Sequence, residues 1–259
     1  MHETERKGSL MYGFSVVLSA ETASFRDPGA QLYHETLPLP PVSTIIGIAG
    51  AALGMSFKDV WQHFQVNEIS VGVKDVTREY RKTPPGKGLD LWKYRKIVSK
   101  EVRSDILKRE FIFRPVYCLF YGAKSADKLK QLHSAFADPA WALSLGGSDD
   151  IACLEKITDI QPMEEVVAQG KDLTFCLIPG NYAESFSFDW ETISNIPTST
   201  TLELPVVKHL PIGFNFGSGG ERKGARYLSF TFLKEIQQLT KPCTAYRLED
   251  EIVPLVSIV

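Results

Sequence analysis

The sequence predicts an α+β fold. Its first 160 residues follow the ferredoxin-like, RNA-recognition-motif plan, and residues 161–259 form a smaller β-rich region. Three observations carry this. The hydrophobic pattern up to residue 160 reads strand, helix, strand, strand, helix, strand. A long basic insertion, 77–110, interrupts it between the second and third strands. After residue 160 the apolar runs are short and strand-like, with glycine and proline turns between them.

Tyr12, Phe14, Val16 and Leu18 alternate with Gly13, Ser15 and Ser19, the pattern of a half-buried first strand. A polar loop follows, with turn chemistry at Asp27-Pro28-Gly29. Prolines in LPLPPVST hold the next approach extended, and Ser43 or Thr44 then opens a helix ending at Gly54. That helix is apolar all round and so is expected to be buried. Gly47 and Gly50 each cost about 1 kcal/mol against alanine in a helix, which predicts close approach of another backbone or of a ligand. Ser56-x-x-Asp59 resembles a capping box and starts a second short helix, Ser56 to Phe64.

The second strand is read at Glu68 to Val76 and the third at Phe111 to Tyr121, where Pro115 implies an edge or a bulge. Between them the insertion shows no core face and is read as a basic arm. Ala126 to Ala137 is an amphipathic helix through Leu129, Leu132 and Phe136, and the fourth strand lies within Leu143 to Ile160. Further strands are placed at Leu173 to Ile178, Leu202 to His209, Tyr227 to Phe232 and Thr244 to Ile258.

The formal charge of the 259 residues is only −2, but its distribution is uneven. Between Lys74 and Arg114, thirteen Lys or Arg face six Asp or Glu, a net +7 on an acidic body. Such a segment is the footprint of a polyanion partner. The longest apolar run, Ile45 to Met55, is too short and too glycine-broken to cross a membrane. The polar N-terminus MHETERKGSL is unlike a secretory signal, so a cytoplasmic location is expected. Cys118, Cys153, Cys176 and Cys243 have no zinc-site spacing and read as buried free thiols, and no HExxH occurs. No metal and no cofactor is expected. Asp149-Asp150 and Glu164-Glu165 are sequence neighbours and read as turn and surface carboxylates rather than as an acid/base pair.

The candidate contacts are all ones a single-stranded RNA would use. Ser43 and Thr44 stand where free helix N–H groups favour phosphate, although plain capping would use the same residues. Ser24 and Arg26 lie in the loop before that helix, and a guanidinium there can fork onto phosphate or stack on a base. Lys74, Arg78, Tyr80, Arg81 and Lys82, then Trp92, Lys93, Tyr94, Arg95 and Lys96, interleave cations with aromatic faces. The same arm would also suit a protein neighbour. Arg222, Lys223 and Arg226 sit in a glycine-rich basic loop that has neither GxxxxGK[ST] order nor GxGxxG spacing.

The run LSAETASFRDPGAQLYHETLPLPPVSTIIGIAGAALG, Leu18 to Gly54, resembles the N-terminal signature of the fifth CRISPR-associated protein family, with LSLGGSDDIA, Leu143 to Ala152, as a second marker. The nearest branch is type I-B. The resemblance implies a repeat-associated (RAMP) RNA-binding fold in which residues 77–110 form a basic thumb touching RNA or a neighbouring subunit. It implies a subunit of the Cascade surveillance complex in antiviral defence, binding the 5′ tag of the guide RNA (crRNA). Its partners would be backbone subunits, a large subunit and, indirectly, target DNA. In one branch, type I-C, the subunit itself cuts precursor RNA with a Tyr, Lys and His set. Here Tyr33 and His34 lie in the corresponding loop, with Lys82 or Lys93 as the charge-stabilising group, but no Lys-His pair follows the insertion. That departure favours a binding role, with metal-independent endoribonuclease activity as the alternative.

Overall fold

The computed structural model describes residues 10–30, 33–98, 101–195, 202–234 and 236–259. The polar N-terminus read above, apart from Leu10, lies outside them. In chain order the elements are β1 (Met11–Ala20), β2 (Thr22–Ala23), α1 (Val42–Leu53), α2 (Phe57–Asn67), β3 (Ser70–Asp75), α3 (Thr77–Arg81), β4 (Gly86–Val98), β5 (Glu101–Phe113), β6 (Val116–Ala123), α4 (Asp127–Ala137) and β7 (Ala152–Ile157). Then follow β8 (Gln161–Gly170), β9 (Leu177–Pro179), β10 (Phe186–Phe188), α5 (Trp190–Ser194), β11 (Val206–Phe216), β12 (Arg222–Phe232), β13 (Gln237–Leu248) and β14 (Glu251–Val253).

The central sheet is antiparallel. β1 pairs with β7 on one side and β6 on the other, and β6 pairs with β3. The spatial order β7-β1-β6-β3 is the one that the strand-helix-strand-strand-helix-strand reading requires. The same sheet continues past residue 160, because β8 hydrogen-bonds to β1 and β13 to β8.

One face of the sheet carries α1, α2 and α4. Phe14, Val16, Leu18, Leu119 and Tyr121 meet Ile45, Ala49, Val60, Trp61, Leu129 and Phe136 there. The half-buried expectation for β1 fails on the other face. Val17, Cys118 and Phe120 are buried against Met163, Leu248 and Val253 from β8, β13 and β14. Gly72 shows how tightly that second layer lies: a Cβ there would stand 2.7 Å from the Pro254 carbonyl oxygen. Ser15, also inside, is satisfied by Thr158, whose hydroxyl accepts its N–H at 2.8 Å.

Local chemistry explains the helix ends. Gly54 closes α1 at φ +67, and Ser56 caps α2 by accepting the Asp59 N–H. The cap of α1 is Pro41, which offers no side-chain acceptor; its carbonyl accepts the Thr44 N–H at 2.8 Å, while the N–H groups of Val42 and Ser43 have no partner among the described residues.

The insertion is not an irregular arm. Its start forms α3, and the rest is a two-stranded ribbon, β4 against β5, in unbroken register from Gly86↔Phe113 to Val98↔Glu101. Pro115 does not sit inside one strand. It follows Arg114, at φ +53, and separates β5 from β6. In the C-terminal part, β11 begins at Val206 rather than Leu202, and the expected Leu173 strand is confined to Leu177–Pro179. The last expected strand resolves into β13 and β14, and Val256 bridges to Val71. Cys118 and Cys176 are buried, with thiols pushed up to about 12, whereas Cys153 is exposed and Cys243 half-buried. Among the described residues, no helix is long and apolar enough to cross a membrane.

Candidate nucleic-acid interface

Two adjoining cavities open at the first turn of α1. The first, about 400 Å³, is bounded by Ser24, Arg26, His34, Ser43, Thr44, Trp92, Arg109 and Gly146. The second, about 310 Å³, shares Ser43, Thr44 and Gly146 and adds Gly47, Phe57, Ser144 and Arg222. The uncapped helix start therefore lies under both.

The walls come from distant parts of the chain. The described parts of the loop, 24–30 and 33–37, are fixed both from within and from β11: Thr36 Oγ1 accepts the Phe25 N–H at 2.9 Å, and Asp27 accepts from Lys208 Nζ at 2.6 Å. Burial raises the pKa of Asp27, but Lys208 and the Gly29 N–H outweigh it and hold the carboxyl below its ordinary value. Ser24 Oγ donates to the Glu110 carbonyl at 2.9 Å, tying the loop to the ribbon's root. Gly146, at φ +110, turns the chain where any Cβ would collide with the Ser24 carbonyl. Asp150 secures that turn by accepting from Thr22 Oγ1 at 2.5 Å and from the Gly147 N–H at 3.0 Å. It is thus a buried turn carboxylate.

Three guanidinium groups ring the helix start. Arg26 is exposed and has no carboxylate partner among the described residues. Arg109 lies 4.1 Å over the Trp92 ring and 3.4 Å from Asp90, with its Nε buried and unpaired. Arg222 stacks 3.8 Å over Phe57 and 5.0 Å from Phe214, which carries it from the glycine-rich turn to the wall of the second cavity. His34 sits between two of these cations. Burial, then Arg26 and Arg109, hold its imidazole below the usual histidine range.

The glycines of α1 differ. At Gly50 a Cβ would come within 2.9 Å of Val60, so that glycine serves the packing of α1 on α2. At Gly47 a Cβ would meet nothing within 4 Å, and the position opens into the second cavity.

Of the residues expected to touch RNA, the structure brings together Ser24, Arg26, Ser43, Thr44, Gly47, Trp92 and Arg222. Others stand apart. Lys74 is mostly buried and ion-paired with Glu251. Arg78 lies 5.9 Å over the Phe175 ring, Tyr80 is exposed on α3, and Lys82 Nζ donates to the Glu79 carbonyl. Arg81 lines a separate cavity with Ser19, Thr22 and Glu155. Lys93 and Arg95 point to the opposite ribbon face from Trp92 and Tyr94, because successive strand residues alternate. The backbone of Lys96 pairs with Arg103. Lys223 stands 3.4 Å from Glu221, and Arg226 donates to the Ile258 carbonyl at 3.2 Å.

Arg109, Gly146 and Gly147 escaped the sequence reading. The signal was present for Arg109: once 86–113 is folded as a hairpin, it falls one pair diagonally from Trp92. Tyr33 donates to Glu110 at 2.9 Å, and burial together with Glu110 and Glu35 pushes its phenol up. Neither Lys82 nor Lys93 lines the His34 cavity. Among the described residues no group of three or more His, Cys, Asp or Glu could hold a metal ion.

Two solved structures share this fold at low identity. One chain of a CRISPR RNA-guided surveillance complex aligns with a TM-score of 0.50 and 15% identity, over 90% of this chain and 91% of that one. A CRISPR protein from Archaeoglobus fulgidus aligns with 0.50 and 11%, over 95% and 99%. A crystal structure of a Cas protein aligns with 0.34 and 18%, over 52% of this chain and just 57% of that one. No curated protein sequence matches. The family model described as CRISPR-associated protein (Cas_Cas5) matches residues 15–190, and the chain belongs to that family.

Proposed function

We propose that this chain is the non-catalytic subunit of a type I-B CRISPR surveillance (Cascade) complex that grips the 5′ tag of crRNA. It would close one end of the backbone filament and help to seat the large subunit. Gly47 carries the reading. A glycine inside a helix costs about 1 kcal/mol, and no protein atom requires it here. It clears the floor of a cavity beside a helix start with free N–H groups, and Arg26, Arg109 and Arg222 stand around it. Phosphates would sit over the first turn of α1 and on the guanidinium groups. A splayed base would stack on Trp92 or on the Arg109 plane above it. Target DNA would be met only through the RNA.

The test is an end-labelled repeat RNA incubated with the metal-free protein and run on native and denaturing gels at two salt concentrations. An intact, shifted RNA is expected, with a log–log salt slope of about −0.7 per phosphate neutralised. A scrambled strand should bind more weakly. No shift at either salt would sink the reading for the isolated chain. Shortened RNA that disappears with His34→Ala would favour the endoribonuclease. One observation favours that second reading: the lowered pKa of His34 keeps its imidazole in the neutral form a general base needs.

A further inference from the structure

We infer that a cavity at the root of the ribbon, apart from the two at α1, binds a small planar aromatic acid whose ring carries one N–H, an indole carboxylate in chemical class. The inference goes beyond the RNA reading and does not rest on it. The cavity measures about 250 Å³ and lies where the approach to α1, the ribbon root and the end of β12 meet. Its walls are carbon: Leu39, Ile112, Phe232 and Leu233, all buried, with Pro85 and Phe175 beside them. An apolar pocket on which a few polar groups converge is the usual form of a small-molecule site. An apolar cavity of about 150 Å³ takes benzene, so this one has room for two fused rings. Proline and phenylalanine walls suit a flat ligand. Phe175 stands there at φ +51, a conformation rare for a bulky residue, with its carbonyl accepting the Asp75 N–H at 2.8 Å.

Three polar groups select the rest of the ligand. Lys234 and Lys87 both line the cavity. Burial, then the neighbouring Lys87, hold the Lys234 ammonium below its ordinary value. Glu203 pairs with Lys234, whereas Lys87 is exposed and has no carboxylate partner among the described residues. Positive charge is thus left over at an apolar mouth, where a ligand acid would neutralise it. Asp75 supplies an acceptor. Its Oδ1 takes the Thr77 N–H at 2.8 Å, and a carboxylate has lone pairs to spare for a ring N–H. Burial raises its pKa in spite of Thr77, so a further donor would be welcome there. The carbon walls disfavour a nucleobase, whose several ring nitrogens and carbonyls would lose water without gaining partners. A cationic ligand would meet Lys87 and Lys234.

The experiment titrates the full chain, labelled in its Ile, Leu and Val methyl groups, with indole-3-acetate and follows the methyl signals by NMR. The signals of Leu39, Ile112 and Leu233 should move together and saturate, with a Kd of about 1 mM or tighter. Lys87→Glu should weaken binding at least about fivefold. Lys128→Glu makes the same charge change on α4 and should leave the affinity within about twofold of wild type. Naphthalene-1-acetate, which has no ring N–H, should bind at least about threefold more weakly than the indole acid. Saturable shifts at Leu210 or Ile48 instead would put the acid in the cavities at α1 and overturn the inference. So would shifts that do not saturate, shifts confined to the exposed ribbon residues Leu91 and Ile106, an unaltered affinity in Lys87→Glu, or tighter binding of guanosine monophosphate. Equal affinity for the naphthalene acid would overturn the Asp75 contact. None of these readouts depends on whether the chain binds RNA.

Discussion

The central sheet and the ribbon are both antiparallel, yet they stand at opposite extremes of burial. In β1 and β6 both faces are covered, by the helices on one side and by β8, β13 and β14 on the other. In β4 and β5 neither face is covered beyond the root, and large aliphatics stand in solvent. Strand pairing alone therefore does not say where the stability lies. The sheet holds the fold, whereas the ribbon keeps its side chains available for contacts outside the chain.

Substitution of adjacent residues gives the largest test of this contrast. Leu119 faces the helices and its neighbour Phe120 faces the C-terminal layer. Leu119→Ala should cost about 2–5 kcal/mol and Phe120→Ala about 3–5 kcal/mol in urea unfolding. Leu91→Ala on the ribbon should stay within about 0.5 kcal/mol of wild type. A cheap Phe120→Ala would mean that the second layer adds little, and a costly Leu91→Ala would mean that the ribbon packs on the body.

This contrast also accounts for what could be seen in the sequence. The order of the central elements was legible because each carries a single period: Leu129, Leu132 and Phe136 at helical spacing, and Tyr12 to Leu18 at strand spacing. The burial of Gly13, Ser15 and Ser19 was not, because small residues on a polar-looking face gain their cover from residues 136 and more positions away, Glu155, Thr158 and Met163. In the ribbon, cations stand on both faces, beside most of the aliphatics on one and beside Trp92 and Tyr94 on the other, so no apolar period emerges and the segment reads as an arm. The site was half legible. Arg26, Ser43, Thr44 and Gly47 lie together in the chain, whereas Arg109, Trp92 and Arg222 reach them only through tertiary structure.

A smaller effect, about 1 kcal/mol, separates architecture from function within α1. Gly47→Ala should raise stability by up to about 1 kcal/mol, since alanine is the better helix former and nothing obstructs its Cβ. The same change narrows the second cavity, and RNA affinity should fall by roughly fivefold or more, about 1 kcal/mol. Gly50→Ala should instead destabilise, because its Cβ would press on Val60. Unfolding curves and filter binding on the two variants measure both signs. A Gly47→Ala protein that is more stable and binds RNA unchanged would remove the main support for the cavity as the RNA site.

The smallest effect concerns two histidines held low for different reasons. For His63 the cause is burial alone, on α2 in the body, where its Nε2 has no partner. For His34 it is burial and then the positive fields of Arg26 and Arg109. Both folded pKa values lie below the 6.5 of an unfolded histidine, so their contribution to stability is fully present above pH 6.5. It is lost as pH falls through the depressed folded values. A polyanion in the first cavity changes only one of them. Phosphate beside His34 offsets the two arginines and favours the imidazolium, so binding takes up a proton and RNA affinity rises as pH drops below 6.5. Proton NMR titration of the imidazole signals, with and without tag RNA, reads this directly. The His34 midpoint should move up on RNA addition while His63 stays in place, and His34→Gln should flatten the pH dependence of binding. If both midpoints moved, the RNA would be acting on the whole body of the protein; if neither did, it would lie outside this cavity.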